Sequence, residues 1–114
     1  VAEPDGLYIL WTNADLLTSE KMVMMYATNS MLRGWWREVT VIIWGATAKL
    51  AAENEAIRER IRIAQHAGVK FTACKACADQ LGATDRLEDL SIEVIYWGQG
   101  LTEILKSDEK LITI

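Results

Sequence analysis

Val39-Thr40-Val41-Ile42-Ile43-Trp44, closed by Gly45, is the stretch from which the architecture is read. Every residue before Trp44 is β-branched and the run has no polar alternation, the pattern of a strand buried on both faces of a sheet. Such a strand needs helices around it. After Gly45, Leu50, Ile57, Ile61 and Ala64 recur at helical spacing between Ala46 and Ala67, and Gly68 ends the run. The spacing predicts one helix there, with Glu53, Glu55, Arg58, Glu59, Arg60 and Arg62 on its solvated faces. On the other side of the strand, about Thr18 to Arg33 is rich in helix formers and stops at Gly34. Its apolar residues, Met22, Val23, Met24, Met25, Tyr26, Ala27, Met31 and Leu32, lie nearly all round the cylinder. One face packs on the sheet and another needs a second cover.

The rest of the chain repeats this alternation. Leu7 to Trp11 reads as a strand running into the turn and cap residues Thr12-Asn13-Ala14-Asp15. Val69 to Ala73 is a third strand, followed by a short helix from about Lys75 to Leu81 and a break at Gly82. Residues 83–91 read as a polar connection, Ile92 to Trp97 as a fourth strand, Gly98-Gln99-Gly100 as a tight turn, Leu101 to Lys106 as a helix, and Leu111 to Ile114 as a fifth strand. The fold class is α/β: a single domain over residues 1–114, three layers, with a mostly parallel five-stranded sheet between helices. Alternation alone leaves the strand order open.

The chain has 114 residues, 51% of them hydrophobic and 25% charged, which is enough apolar material for a packed core and excludes a disordered chain. Its net charge of −4, with no two basic residues adjacent, argues against nucleic acid, whose binding needs several phosphates neutralised. No apolar stretch approaches the roughly 18 residues of a membrane span, and Val1 to Gly6 lacks a charged start and an apolar core of a leader, so a cytoplasmic protein is expected.

Chemistry concentrates where strands hand over to helices, the edge at which parallel sheets bind ligands. Asn13, Thr47 and Gln99 share that edge and are candidates for a pocket rim. Cys74 falls at the end of the third strand, where amide dipoles and the neighbouring Lys75 favour a thiolate; Cys77 follows in the first helical turn, near enough to resolve an oxidised Cys74. The plainer alternative is that both are small buried apolar residues. A thioredoxin-type site would need a cis-proline facing the thiols, and the only proline is Pro4. A zinc site wants four ligands, and Cys74, Cys77 and His66 supply three, so an intrachain zinc is not expected, leaving only a site shared between subunits. His66, at a helix end, reads as a surface residue, and Asp15 and Asp79 as helix-end residues. Gly98-Gln99-Gly100 lacks the rest of a phosphate-loop fingerprint, which disfavours a nucleotide- or flavin-binding domain; no cofactor is expected.

The order of elements, with Phe71-Thr-Ala-Cys74-Lys-Ala-Cys77-Ala-Asp-Gln-Leu-Gly82 and the closing Trp97-Gly-Gln-Gly-Leu-Thr-Glu-Ile-Leu, resembles the DsrE/DsrF/TusD-like sulfur-relay family over nearly the whole chain. The resemblance implies that Cys74, eight residues before Gly82, takes up sulfane sulfur as a persulfide and passes it to a partner. Cys77 has no counterpart in the simplest carriers of that family, which also have basic residues where this chain has Gln80 and Leu81. The expected function is a sulfur carrier or sulfurtransferase-like protein with donor and acceptor proteins as partners and with Cys74, Cys77 and Lys75 at its centre. The alternative is a non-catalytic oligomeric binding module with structural cysteines. The surplus apolar surface of the first helix, beside Trp35 and Trp36, predicts a homo-oligomer, and the resemblance implies a trimer or hexamer.

Overall fold

Strands β1 (Gly6–Trp11), β2 (Glu38–Ile43), β3 (Lys70–Cys74), β4 (Glu93–Ile95) and β5 (Lys110–Thr113) form one sheet in the order β4-β3-β2-β1-β5, every neighbouring pair parallel. The computed structural model describes residues 5–114, so Pro4 lies outside the described residues. Between the strands run α1 (Leu16–Thr18), a π-helical stretch (Ser19–Met24), α2 (Met25–Leu32), α3 (Ala46–Glu53), α4 (Glu55–His66), α5 (Lys75–Gln80), α6 (Thr84–Glu88) and α7 (Gly98–Lys106). The α/β class is therefore as the alternation predicts, and the sheet is parallel throughout.

The strand order left open by the sequence fixes where the helices go. From β1 to β4 each strand is added on the same side of its predecessor, so right-handed crossovers place α1 to α6 on one face; the step back from β4 to β5 sends α7 to the other. The core follows this division. Leu7, Ile9 and Trp11, Val39, Val41 and Ile43, and Phe71 and Ala73 pack with Val23, Ala27, Ala51, Ile57, Ile61 and Leu87 of the helices. Burying an isoleucine such as Ile57 or Ile61 contributes roughly 1.5–3 kcal/mol. The intervening strand residues Ile42 and Thr72 are also buried but lie outside this cluster. By strand parity they face the α7 side, to which α7 brings its buried Ile104.

Several elements differ from the sequence expectation for identifiable reasons. The helix over 46–67 is two helices: Asn54 stands between them in extended conformation and its side chain accepts from the Ile57 amide, capping α4. Arg58 is not on a solvated face. It is 3% exposed and donates to the Ala51 and Arg86 carbonyls, tying α3, α4 and α6 together. The first helix begins earlier, at Leu16, with Asp15 accepting from the Thr18 amide, and includes the π-stretch that begins at buried Ser19. Residues 83–91 are not a plain connection but include α6, and β4 is shorter than read. Gly98-Gln99-Gly100 is the first turn of α7 rather than a tight turn.

Candidate functional site

Parallel strands aligned in register bring Trp11, Ile43, Cys74 and Ile95 to one edge, where the chain turns from sheet into helices. Two turns there are adjacent because β2 pairs with β3. The first is at Gly45, the N-cap of α3, whose φ of 69° lies in the left-handed region that glycine adopts without strain. Thr47 holds this turn from within. Its hydroxyl donates to the Trp11 carbonyl at 2.6 Å and accepts from the Trp44 amide at 3.1 Å. Thr47 is fully buried, so it does not line a pocket rim; it ties the end of β1 to the start of α3.

The second turn carries the cysteines. Cys74 ends β3 and is the N-cap residue of α5; Cys77 sits three residues on, in the first turn. Both thiols are free, Cys74 buried and Cys77 half-buried. Burial pushes the Cys77 thiol above its ordinary value; the Gly45 backbone amide, which approaches its sulfur, pulls the other way, and the neighbouring Cys74 thiol pushes it up again. The approach of Gly45 to Cys77 is a contact the sequence did not disclose, because it exists only once β2 and β3 are neighbours. On the far side of the sheet, the Trp97 indole donates to the Thr72 hydroxyl at 2.8 Å, two residues before Cys74. A Cβ on Gly100 would lie 2.8 Å from the Trp97 ring. Gly100 is thus explained by the packing of Trp97 against α7.

Lys75 is committed elsewhere than to a thiolate. Its ammonium pairs with Asp79 at 3.0 Å and lies 5.9 Å from the centre of the Tyr96 ring. Asp79 holds the Lys75 pKa above its usual value, while Thr84 and Lys75 hold the Asp79 carboxyl below its own. Asn13 and Gln99 are exposed at the same edge but engaged locally. The Asn13 side chain accepts from the Asp15 amide, and Gln99 donates to Glu103 within α7. The structure thus brings Cys74, Cys77 and the Gly45 turn together and leaves Lys75, Asn13, Thr47 and Gln99 in structural bonds. His66 is exposed at the end of α4, and among the described residues no group of three or more His, Cys, Asp or Glu could hold a metal. No helix among them is long and apolar enough to cross a membrane.

Fold and edge together define a doubly covered, all-parallel α/β protein with a dithiol where β3 meets α5. Among solved structures it is similar to BT1422 of Bacteroides thetaiotaomicron, a conserved protein of unknown function: 39% identity over 96% of this chain and 95% of that one, with a TM-score of 0.94. The chain belongs to the family of that protein. It also shares its fold with the ychN protein of E. coli, at 16% identity, 99% and 100% coverage and a TM-score of 0.73. No family model matches the chain, and no curated protein does.

Proposed function

We propose that the chain is a DsrE-like sulfur carrier or sulfurtransferase-like protein of the cytoplasm, in which Cys74 holds sulfane sulfur as a persulfide between a donor and an acceptor protein. The observation that carries this reading is the pair of free thiols at the carboxyl edge of a parallel sheet, Cys74 at the strand-to-helix turn and Cys77 beside it. In the loading step the Cys74 thiolate attacks the terminal sulfur of a donor persulfide. A bond forms between Sγ and that sulfur, the donor's S–S bond breaks, and the donor leaves as a thiolate. Unloading is the same step run toward an acceptor thiolate. The carrier works as a homo-oligomer, a trimer or hexamer, that covers apolar side chains left in water by a single chain, Leu17, Met22, Met25, Leu32 and Trp35 among them.

A second reading has its own support. Cys74 is 5% exposed and Lys75 is paired with Asp79, as expected of packing cysteines in a binding module. Incubating the protein with a sulfane-sulfur donor and measuring intact mass with and without reductant separates the two. A reducible gain of one sulfur, absent in Cys74→Ser, is expected of the carrier. No gain, with both thiols alkylated only on unfolding, would leave the binding module.

A further inference from the structure

We propose that Cys77 is the resolving thiol of the site: it attacks a sulfur-loaded Cys74, closes a Cys74–Cys77 disulfide and expels hydrosulfide. This rests on the reading of Cys74 as the carrier. The placement is favourable in three respects. Cys74 is the N-cap of α5 and Cys77 lies three residues on, so both side chains belong to one strand-to-helix turn. Both residues are free, and Cys77 sits beside the thiol it would attack. The two sulfurs also differ in access, Cys74 being buried and Cys77 half-buried, which divides the work between them.

In a persulfidated Cys74 the inner sulfur is its own Sγ, the atom nearest Cys77. Attack there by the Cys77 thiolate forms the Sγ–Sγ bond and breaks the bond from Cys74 Sγ to the outer sulfur, which leaves as hydrosulfide carrying the electron pair and takes up the proton Cys77 has lost. The resulting disulfide needs a two-electron reductant, and a dithiol supplies it. One thiolate attacks the more accessible Cys77 sulfur, Cys74 departs as a thiolate, and the second thiol of the reductant closes its own disulfide. Persulfide, thiol and dithiol thus become two protein thiols, one hydrogen sulfide and one oxidised reductant. The carrier gains a second outlet, release as sulfide, set by the supply of dithiol.

The test uses the full chain loaded with inorganic polysulfide, freed of excess reagent and held without oxygen. Trypsin cuts after Lys75, between the two cysteines, so a disulfide keeps Phe71–Lys75 joined to Ala76–Arg86 in an unreduced digest. Wild type should release one sulfide per chain as the joined fragment appears. Cys77→Ser should load equally and slow release about tenfold or more. Release from Cys77→Ser at the wild-type rate, or a persulfide in wild type that persists beside an alkylatable Cys77, would overturn the proposal. A second arm treats the reduced, unloaded protein with oxidised glutathione. Collapse of the mixed disulfide to the joined fragment is expected, and a lasting mixed disulfide overturns the resolving role while leaving the carrier intact. Failure of polysulfide to add any sulfur to Cys77→Ser, in which Cys74 has no resolving thiol, would instead bring down the carrier reading, and the resolving role with it.

Discussion

Replacing Thr47 with Val removes one hydroxyl and keeps the shape of the side chain, so it tests whether the Gly45 turn is held as described. The hydroxyl's bonds disappear: the one donated to the Trp11 carbonyl at 2.6 Å, with the Trp44 carbonyl also in reach at 3.1 Å, and the one accepted from the Trp44 amide at 3.1 Å. A typical buried bond is worth about 1 kcal/mol net, which gives about 2 kcal/mol for the pair. Two effects reduce this. The Trp44 amide also donates to the Trp11 carbonyl at 3.2 Å, so neither group is orphaned, and the new methyl recovers part of the loss by apolar burial. The expected cost is about 1–2 kcal/mol, or a fall in Tm of about 4–8 °C for a domain of this size. Urea unfolding followed by tryptophan fluorescence measures it, and Trp11 and Trp44 lie at the perturbed point. The same variant loosens the Gly45 amide that faces Cys77, so alkylation of Cys77 should change in rate while overall helicity holds. A cost below about 0.5 kcal/mol, the range of an unremarkable surface substitution, would refute the assignment of Thr47 as the tie of the turn.

Other outcomes follow from the same geometry. Gly100→Ala should destabilise the protein by about 1–3 kcal/mol, because the added methyl meets the Trp97 ring at 2.8 Å, although Ala is normally favoured over Gly inside a helix; a thermal melt showing a gain would contradict the packing of Trp97. Arg58→Leu should cost about 2–4 kcal/mol, since the Ala51 and Arg86 carbonyls lose their buried donor, and denaturant titration measures it. Because burial raises the Cys77 pKa, this thiol is protonated at neutral pH, and its alkylation rate should still be climbing with pH where an ordinary thiol has levelled off. Asp79 has a depressed pKa through Thr84 and Lys75, so its contribution is present above the unfolded carboxyl pKa and is lost as pH falls through the lower folded value; Asp79→Asn should flatten that acid limb of the stability curve.

What the sequence disclosed and what it withheld divide along a physical line. β2 is legible because a β-branched run admits little else, and the apolar period of Ile57, Ile61 and Ala64 is legible because all three are buried. The break at Asn54 had a local signal, an Asn that accepts from the amide three residues on, with Glu55 in the first turn, but the Ala-rich sequence before it continues a helical pattern and masks the cap. α6 offered less: its N-cap is Ala83, with no side-chain bond to announce a start. Arg58 was misread because a buried arginine looks the same in sequence as an exposed one until the carbonyls it satisfies, from α3 and α6, are brought beside it.

The site follows the same rule one level higher. Cys74 and Cys77 are close because they share one strand-to-helix turn, so four consecutive residues suffice to find them. Lys75 is next to Cys74 in sequence, yet the i, i+4 spacing of a helix gives its ammonium to Asp79 instead. Gly45 is twenty-nine positions before Cys74 and reaches Cys77 only through the pairing of β2 with β3, with Ile43 opposite Ala73. Adjacency in sequence therefore identified the thiols, while strand order determined what surrounds them. Any chemistry of Cys77 depends on the second as much as the first, since the amide that opposes the effect of burial on its ionisation comes from the neighbouring strand's turn.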